Sequence, residues 1–309
     1  MNRLTVDSLS EPATRAARTG VAYGIAAYGW WGLVPVYFKA VATVPAVEVL
    51  AHRILWSVVL LAVWMRLRGR WPAAVAAMRN RRTVITLLAT TVLIAGNWYV
   101  FIWAVANDHV LQASLGYFIN PLVNILLGFV FLGERLRTWQ TLAVALAAAA
   151  VLYLTLVYGQ FPWIALVLAG TFGFYGLLRK TAKVDAPVGL TVETTLLLPL
   201  ALAYLTYVGV EGELVFGARS RWTDLLLVLA GAVTALPLLW FTNAVRRLRL
   251  ATLGFLQYIA PTGHFLLAVG LYHEPFTAAH GITFGCIWTA LAIYSIDTAR
   301  SARAGRNLR

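Results

Sequence analysis

The residues of this chain that can do chemistry are few, and they lie inside long apolar runs. Glu48, His52 and Arg53 fall in one run and Glu193 in another. Glu48 and His52 are four residues apart and share a helix face, an acid next to a base. Arg53 follows His52 directly and shares that face only in part. Such a set can transfer protons, pair internally or hold a charged solute. As an acid/base pair Glu48 and His52 could serve an intramembrane enzyme, but no nucleophile constellation or metal site stands beside them. His52, His109, His264, His273 and His280 show no metal-ligand spacing, and the single cysteine, Cys286, excludes an internal disulfide. No metal or cofactor is expected.

Charged groups inside a membrane span are costly and face the protein interior or a water-filled path. For Arg53 three readings follow. Its guanidinium snorkels to the outer surface, roughly 10 Å along the helix; it clamps Glu48; or it contacts an anion. Glu48 and Glu193 each lie near the start of a helix. They either cap that helix, where its dipole favours an anion, or act as matched acids for two gates or proton coupling.

A second set surrounds two prolines. Pro121 and Pro261 fall inside apolar runs, where proline removes a backbone donor and kinks a helix. Asn120, Asn124, Gln257 and His264 lie close by in sequence, and Tyr117, Phe118 and Tyr258 sit about one turn earlier. Broken helices at matched positions point to a transport site. Trp30, Trp31, Trp98, Trp103 and Trp240 lie within spans and either line a site or pack, whereas Trp71, Trp163 and Trp222 read as interfacial anchors. The alanine-rich run 143–151 and Gly170, Gly173 and Gly176 offer small-residue faces for close packing or a homodimer.

The elements that must position these residues are transmembrane helices. The chain has 309 residues, 61% hydrophobic and 12% charged, with mean hydropathy +0.76; soluble domains carry roughly 25% charged residues. About 20 apolar residues cross a bilayer as a helix. Ten stretches qualify: 20–38, 46–65, 83–106, 110–132, 138–157, 161–178, 188–208, 223–245, 250–271 and 277–296. The first follows Arg15 and Arg18 and precedes Ala40-Val41-Ala42, but it is longer than a signal-peptide core of about 7–15 residues and reads as a retained helix.

With a cytoplasmic N-terminus, all of the 25 Lys and Arg residues except Lys39, Arg53, Arg219 and Arg221 fall on the cytoplasmic side. That is the positive-inside pattern, and it places both termini in the cytoplasm of a cell-membrane protein. The net charge of +13 is explained this way, without nucleic acid.

The chain also repeats itself with a period near 140 residues. Pro121 precedes Glu134 as Pro261 precedes Glu274, and Trp31-Gly32 precedes Lys39 as Phe172-Gly173 precedes Lys180. The expected fold is all-α, ten transmembrane helices as two inverted five-helix repeats. A cytoplasmic tail (1–19) leads into repeats at 20–157 and 161–297, and a basic cytoplasmic tail (298–309) follows. Five helices per half make equivalent helices antiparallel, the arrangement by which transporters expose one midplane site to either side.

On these residues the chain resembles the drug/metabolite transporter superfamily, EamA type. The carrying units are Pro121 to Gly133-Glu134-Arg135 and Pro261 to His273-Glu274-Pro275, the second lacking the glycine. It is most similar to the RarD subfamily through Pro35-x-Tyr37-x-Lys39, Glu48-x3-His52-Arg53-x2-Trp56-Ser57, Asn97-Trp98, the runs 114–122 and 253–262, and Glu193-Thr194. The resemblance implies a permease, an exporter of a small metabolite or drug-like solute by alternating access, with the lipid bilayer as its surroundings. A non-transporting scaffold and an intramembrane enzyme are the competing readings. The orientation has a direct test in a Cys286→Ser background. A cysteine at Ala218 is labelled by an impermeant thiol reagent from outside, and one at Ser301 is not; the reverse pattern overturns the topology.

Overall fold

The computed structural model describes residues 4–133, 135–159, 161–181, 184–245, 247–248, 253 and 256–304. Among them there are helices and connecting turns and no strand. The helices are α1 (Leu4–Ala40), α2 (Ala46–Leu67), α3 (Trp71–Arg79), α4 (Arg81–Ala106), α5 (Val110–Leu132), α6 (Thr138–Tyr158), α7 (Trp163–Thr181), α8 (Ala186–Val210), α9 (Arg221–Val245), α10 (Ile259–Leu266) and α11 (Ala278–Ala304). α10 runs on into a π-helical turn, Leu267–Leu271.

Seven of these helices are long and apolar enough to cross a membrane, and Trp163–Arg179 and Ile259–Leu271 are shorter apolar helices. Large side chains such as Val92, Leu156, Leu200 and Val210 point outward at 70–81% exposure. A soluble protein does not present an apolar surface on this scale. The molecule is a multi-pass membrane protein. A bilayer supplies no hydrogen-bond partner for the backbone, and continuous helices meet that demand internally.

Three elements differ from the sequence reading. α1 starts at Leu4, so the stretch 20–38 is the second half of a longer helix. α3 was not foreseen, because a nine-residue helix of small residues is too short to register as a span. It buries Ala74 and Ala77 beside Val188 and Val192 of α8, and the Asn80 side chain after it caps α4 by accepting from the Thr83 amide at 3.0 Å. The prolines also behave differently. α5 is continuous through Pro121, and Pro261 is the third residue of α10, in the first turn, where a missing N–H costs little. The first part of the stretch 250–271 lies largely outside the described residues, as do Glu134 and Lys183.

Helices α1 and α9 pack together, as do α1 with α10, α4 with α7, α5 with α7, α2 with both α8 and α9, and α6 with α11. Several of these crossings are close enough to require glycine. A Cβ on Gly263 would meet the Gly32 backbone at 2.8–3.0 Å, and one on Gly116 would meet the Ala165 carbonyl at 2.8 Å. A Cβ on Gly231 would meet the Trp56 backbone at 2.5 Å. Contacts of this kind drive helix association where lipid removes the hydrophobic incentive.

Two glycine-to-alanine changes therefore have opposite signs. Gly96 has open space where a Cβ would go, so Gly96→Ala leaves the melting temperature unchanged or raises it, by at most about 1 kcal/mol of helix propensity. Gly263→Ala forces backbone against backbone and costs about 1–3 kcal/mol. Thermal unfolding of the two variants in one detergent checks this; equal melting temperatures sink the close-crossing account.

Candidate functional site

The side chains that meet in the middle of the bundle come from six helices. Arg53 is the eighth residue of α2, half-buried. Its Nε donates to Thr234 Oγ1 of α9 at 2.8 Å. Its guanidinium lies over the Trp98 indole of α4, 4.1 Å from the ring centroid, and 5.6 Å from the Phe38 ring of α1. The Tyr37 ring packs on Phe38 and the Tyr117 ring on Phe101. Each hydroxyl is already committed as a donor, Tyr37 to the Leu226 carbonyl at 2.8 Å and Tyr117 to Asn97 Oδ1 at 3.2 Å. The Asn97 amide donates to the Leu168 carbonyl at 3.0 Å and to Thr171 Oγ1 at 2.9 Å.

His264 of α10 closes the cluster. Its ring sits 5.3 Å from Phe101 and 5.7 Å from Tyr117. Nε2 lies 2.8 Å from the Trp31 carbonyl, which only accepts, so Nε2 carries the proton. The result is a cation between Trp98 and Phe38, with Phe101 packed on Phe38 and Tyr117 on Phe101. No ion pair among the described residues includes Arg53.

The acids sit elsewhere, each tied to a different segment. Glu48 Oε1 accepts from the amides of Val215 and Phe216, at 3.0 and 3.2 Å, in the turn between α8 and α9. His52 packs its ring on Phe216, 4.8 Å between centroids. Glu274 uses both oxygens, accepting from the Val110 and Leu111 amides at 2.7 and 2.8 Å and so capping α5 from a distant turn. Burial pushes the Glu274 carboxyl above its ordinary range, and the Leu111 and Val110 amides pull it partly back. Glu193 is fully buried. It accepts from Thr90 Oγ1 of α4 at 2.7 Å and from the Tyr175 hydroxyl of α7 at 3.2 Å, and Arg179 Nε lies 3.8 Å away. The Arg179 guanidinium presses directly on Gly189, which has no Cβ to obstruct it.

Residues 18–156 match the model of the EamA-like transporter family. An uncharacterized transporter of Vibrio cholerae is 49% identical over 96% of this chain and 99% of its own length. Protein RarD of Escherichia coli K12 is 48% identical over 94% and 98%. The chain belongs to the RarD-type EamA transporter family. A solved crystal structure, 17% identical, superposes with a TM-score of 0.57 over 89% of this chain and 96% of that one, a likeness in fold.

In this RarD-type chain the twelve residues singled out from sequence divide by location. Arg53, Trp98, Tyr117 and His264 come together. Asn120 faces α7, donating to the Ala169 carbonyl at 3.3 Å, and Pro121 is buried beside it. The Pro261 carbonyl accepts from Ser114 Oγ at 2.9 Å, tying α10 to α5. Tyr258 lines a separate groove of about 420 Å³ with Thr262, Phe118 and Trp288, and Gln257 precedes it in the turn before α10. Glu48 and His52 hold the 215–216 turn, and Glu193 forms its own cluster.

Glu48 lies in the first turn of α2, where the helix dipole favours an anion, but makes no capping hydrogen bond there; Glu193 lies beyond the first turn of α8, which is capped by Asp185 accepting from the Val188 amide at 3.2 Å. Glu48 does not clamp Arg53 either. Thr234, Phe38, Phe101, Thr90 and Tyr175 went unnoticed because a threonine or phenylalanine in an apolar run carries no sequence signal. Arg179 was counted as a loop charge, yet its side chain is 12% exposed.

The Glu193 cluster has a checkable energetic consequence. Glu193→Leu leaves Arg179 without its acid and the Tyr175 hydroxyl without its acceptor, and loses about 3 kcal/mol or more. Glu193→Gln keeps an acceptor for Thr90 and loses clearly less. Melting curves in detergent compare them, and equal losses would show that the carboxylate is not what the cluster needs.

Proposed function

We propose that this chain is a secondary transporter that moves a small solute outward across the cell membrane by alternating access. Ten spans form two inverted five-helix halves, both termini are cytoplasmic, and the solute site lies among α2, α4, α5, α9 and α10. The observation that carries this reading is an exchange symmetry in helix contacts. Pair α1 with α7, α2 with α8, α4 with α9, α5 with α10, and α6 with α11. The contact of α1 with α9 then becomes that of α7 with α4, and α1 with α10 becomes α7 with α5. The pairs α2–α8 and α6–α11 map onto themselves.

Finer registers support it. α2 begins at Ala46 and α8 at Ala186, 140 residues apart. Gly133 and His273, the same distance apart, are both left-handed, with φ of 65° and 53°. The histidine keeps the glycine's conformation despite its Cβ cost. This register matches Arg53, not Glu48, with Glu193: one half carries a cation where the other carries an acid. Two halves of opposite sense, each with a charged residue inside a span at this register, suit alternate exposure to the two sides. The chain has no Walker motif, so a gradient, exchange or facilitation moves the solute.

The test is flux in proteoliposomes that hold only this protein. Ligands are first selected by thermal stabilisation of the purified chain, since binding to the folded state raises its stability. A radiolabelled ligand from that set accumulates in the lumen, saturably and chemically unchanged. A chemically altered solute points to an enzyme, and no flux above empty liposomes for any stabilising ligand points to a scaffold; either outcome overturns the proposal.

A further inference from the structure

We infer that Arg53 is the anchor of an anion site, and that the solute is a small organic carboxylate with a flat apolar body. This rests on the transport reading for its biological meaning but not for its chemistry. Arginine remains charged at any physiological pH, and a charge held among apolar helices is costly unless an opposite charge meets it. The other membrane-embedded cation supports the contrast. Arg179 has Glu193 within 3.8 Å, whereas Arg53 has no acid partner among the described residues.

How Arg53 is held is as informative as what it lacks. Only Nε is used, by Thr234 Oγ1. That hydroxyl gives its own proton to the Ala230 carbonyl at 2.9 Å, so it is available as an acceptor. The face of the guanidinium rests on Trp98. One edge and one face are thereby fixed, and the two terminal nitrogens carry no hydrogen bond among the described residues. Those nitrogens form the fork that takes a carboxylate in two parallel bonds.

The surroundings define the rest of the ligand. Phe38 faces the guanidinium, Phe101 packs on Phe38 and Tyr117 on Phe101, and the Tyr37 and Tyr117 hydroxyls are spent on Leu226 and Asn97. Nδ1 of His264, on the ring that packs near Phe101 and Tyr117, has no hydrogen-bond partner. It can accept one donor from the ligand body. An aromatic acid with a single N–H, such as an indole carboxylate, uses all three features: fork, rings and acceptor.

The experiment measures binding by thermal shift and titration calorimetry on the purified full chain, with four probes. They are indole-3-carboxylate, its neutral amide indole-3-carboxamide, benzoate, which lacks the N–H, and inorganic phosphate. Indole-3-carboxylate binds at least tenfold tighter than the amide, and benzoate falls between them. Arg53→Lys keeps the charge without the fork and weakens the carboxylate at least tenfold, and Arg53→Gln erases the preference over the amide.

If those variants fail to fold, Thr234→Val removes only the hydroxyl that aims Nε. It narrows the carboxylate-to-amide ratio several-fold, a readout that a general loss of stability does not move. Equal binding of acid and amide by the wild type, or undiminished carboxylate preference in Arg53→Gln, overturns the proposal, as does phosphate binding tighter than both carboxylates. Carboxylate binding without flux would refute the transport reading and leave the anion site standing. Saturable flux of neutral or cationic solutes with no carboxylate binding would do the reverse.

Discussion

Inside a bilayer a polar group has no water to fall back on, and this chain is organised by that constraint. Its helices satisfy their own backbones, and each embedded polar side chain must then find a partner within the protein. The threonines do so at least cost, donating back to a carbonyl one turn earlier, as Thr91, Thr191, Thr194 and Thr283 do. The carboxylates need stronger donors. Glu48 and Glu274 take pairs of backbone amides, and Glu193 takes two hydroxyls with Arg179 nearby. These contacts join segments that lie far apart in the chain, so meeting the polar demand also fixes how helices from its two ends sit against each other.

Seen in this light, the central cluster is the least self-sufficient part of the molecule. The carbonyls and amides around it are used up by Tyr37, Asn97, Ser114 and Tyr117. What remains is a positioned guanidinium, aromatic faces and one imidazole nitrogen. Preorganisation of this kind favours binding, because the fork and rings are held before any ligand arrives and little side-chain freedom is left to lose. The turns pinned by Glu48 and Glu274 are held differently from the helix crossings. Amide-to-carboxylate contacts at loops can break without dismantling a helix, whereas the Gly32–Gly263 crossing cannot loosen without separating α1 from α10.

Much of this architecture is written in the sequence. Charge content and ten apolar stretches identify a helical membrane protein, and the run lengths mark α2, α4, α5, α6, α7, α8 and α9 to within a few residues, whereas α11 runs eight residues past its expected end at 296 into the segment read as a tail. α3 escaped because it is short, and the length of α1 because its first half is polar. Pro261 misled for a geometric reason: a proline disrupts only when its N–H would have been used and its ring clashes with the preceding turn. Pro261 sits where neither holds.

The site was legible only as a list of rare residues. The sequence by itself determined that Glu48, Arg53, Glu193 and His264 lie in apolar runs, and that such groups need a reason to be there. Hydrophobic length and periodicity are properties of one helix at a time, and they carry that much. Only the tertiary structure decided the partners. Glu48 turned to the 215–216 amides and away from Arg53; Arg53 settled on Trp98 and Thr234; Arg179 left the loop charges for Glu193. Those choices depend on which helix faces lie against each other across separations of more than a hundred residues. A hydrogen bond requires atoms within about 3 Å, a proximity that no pattern within a single helix encodes.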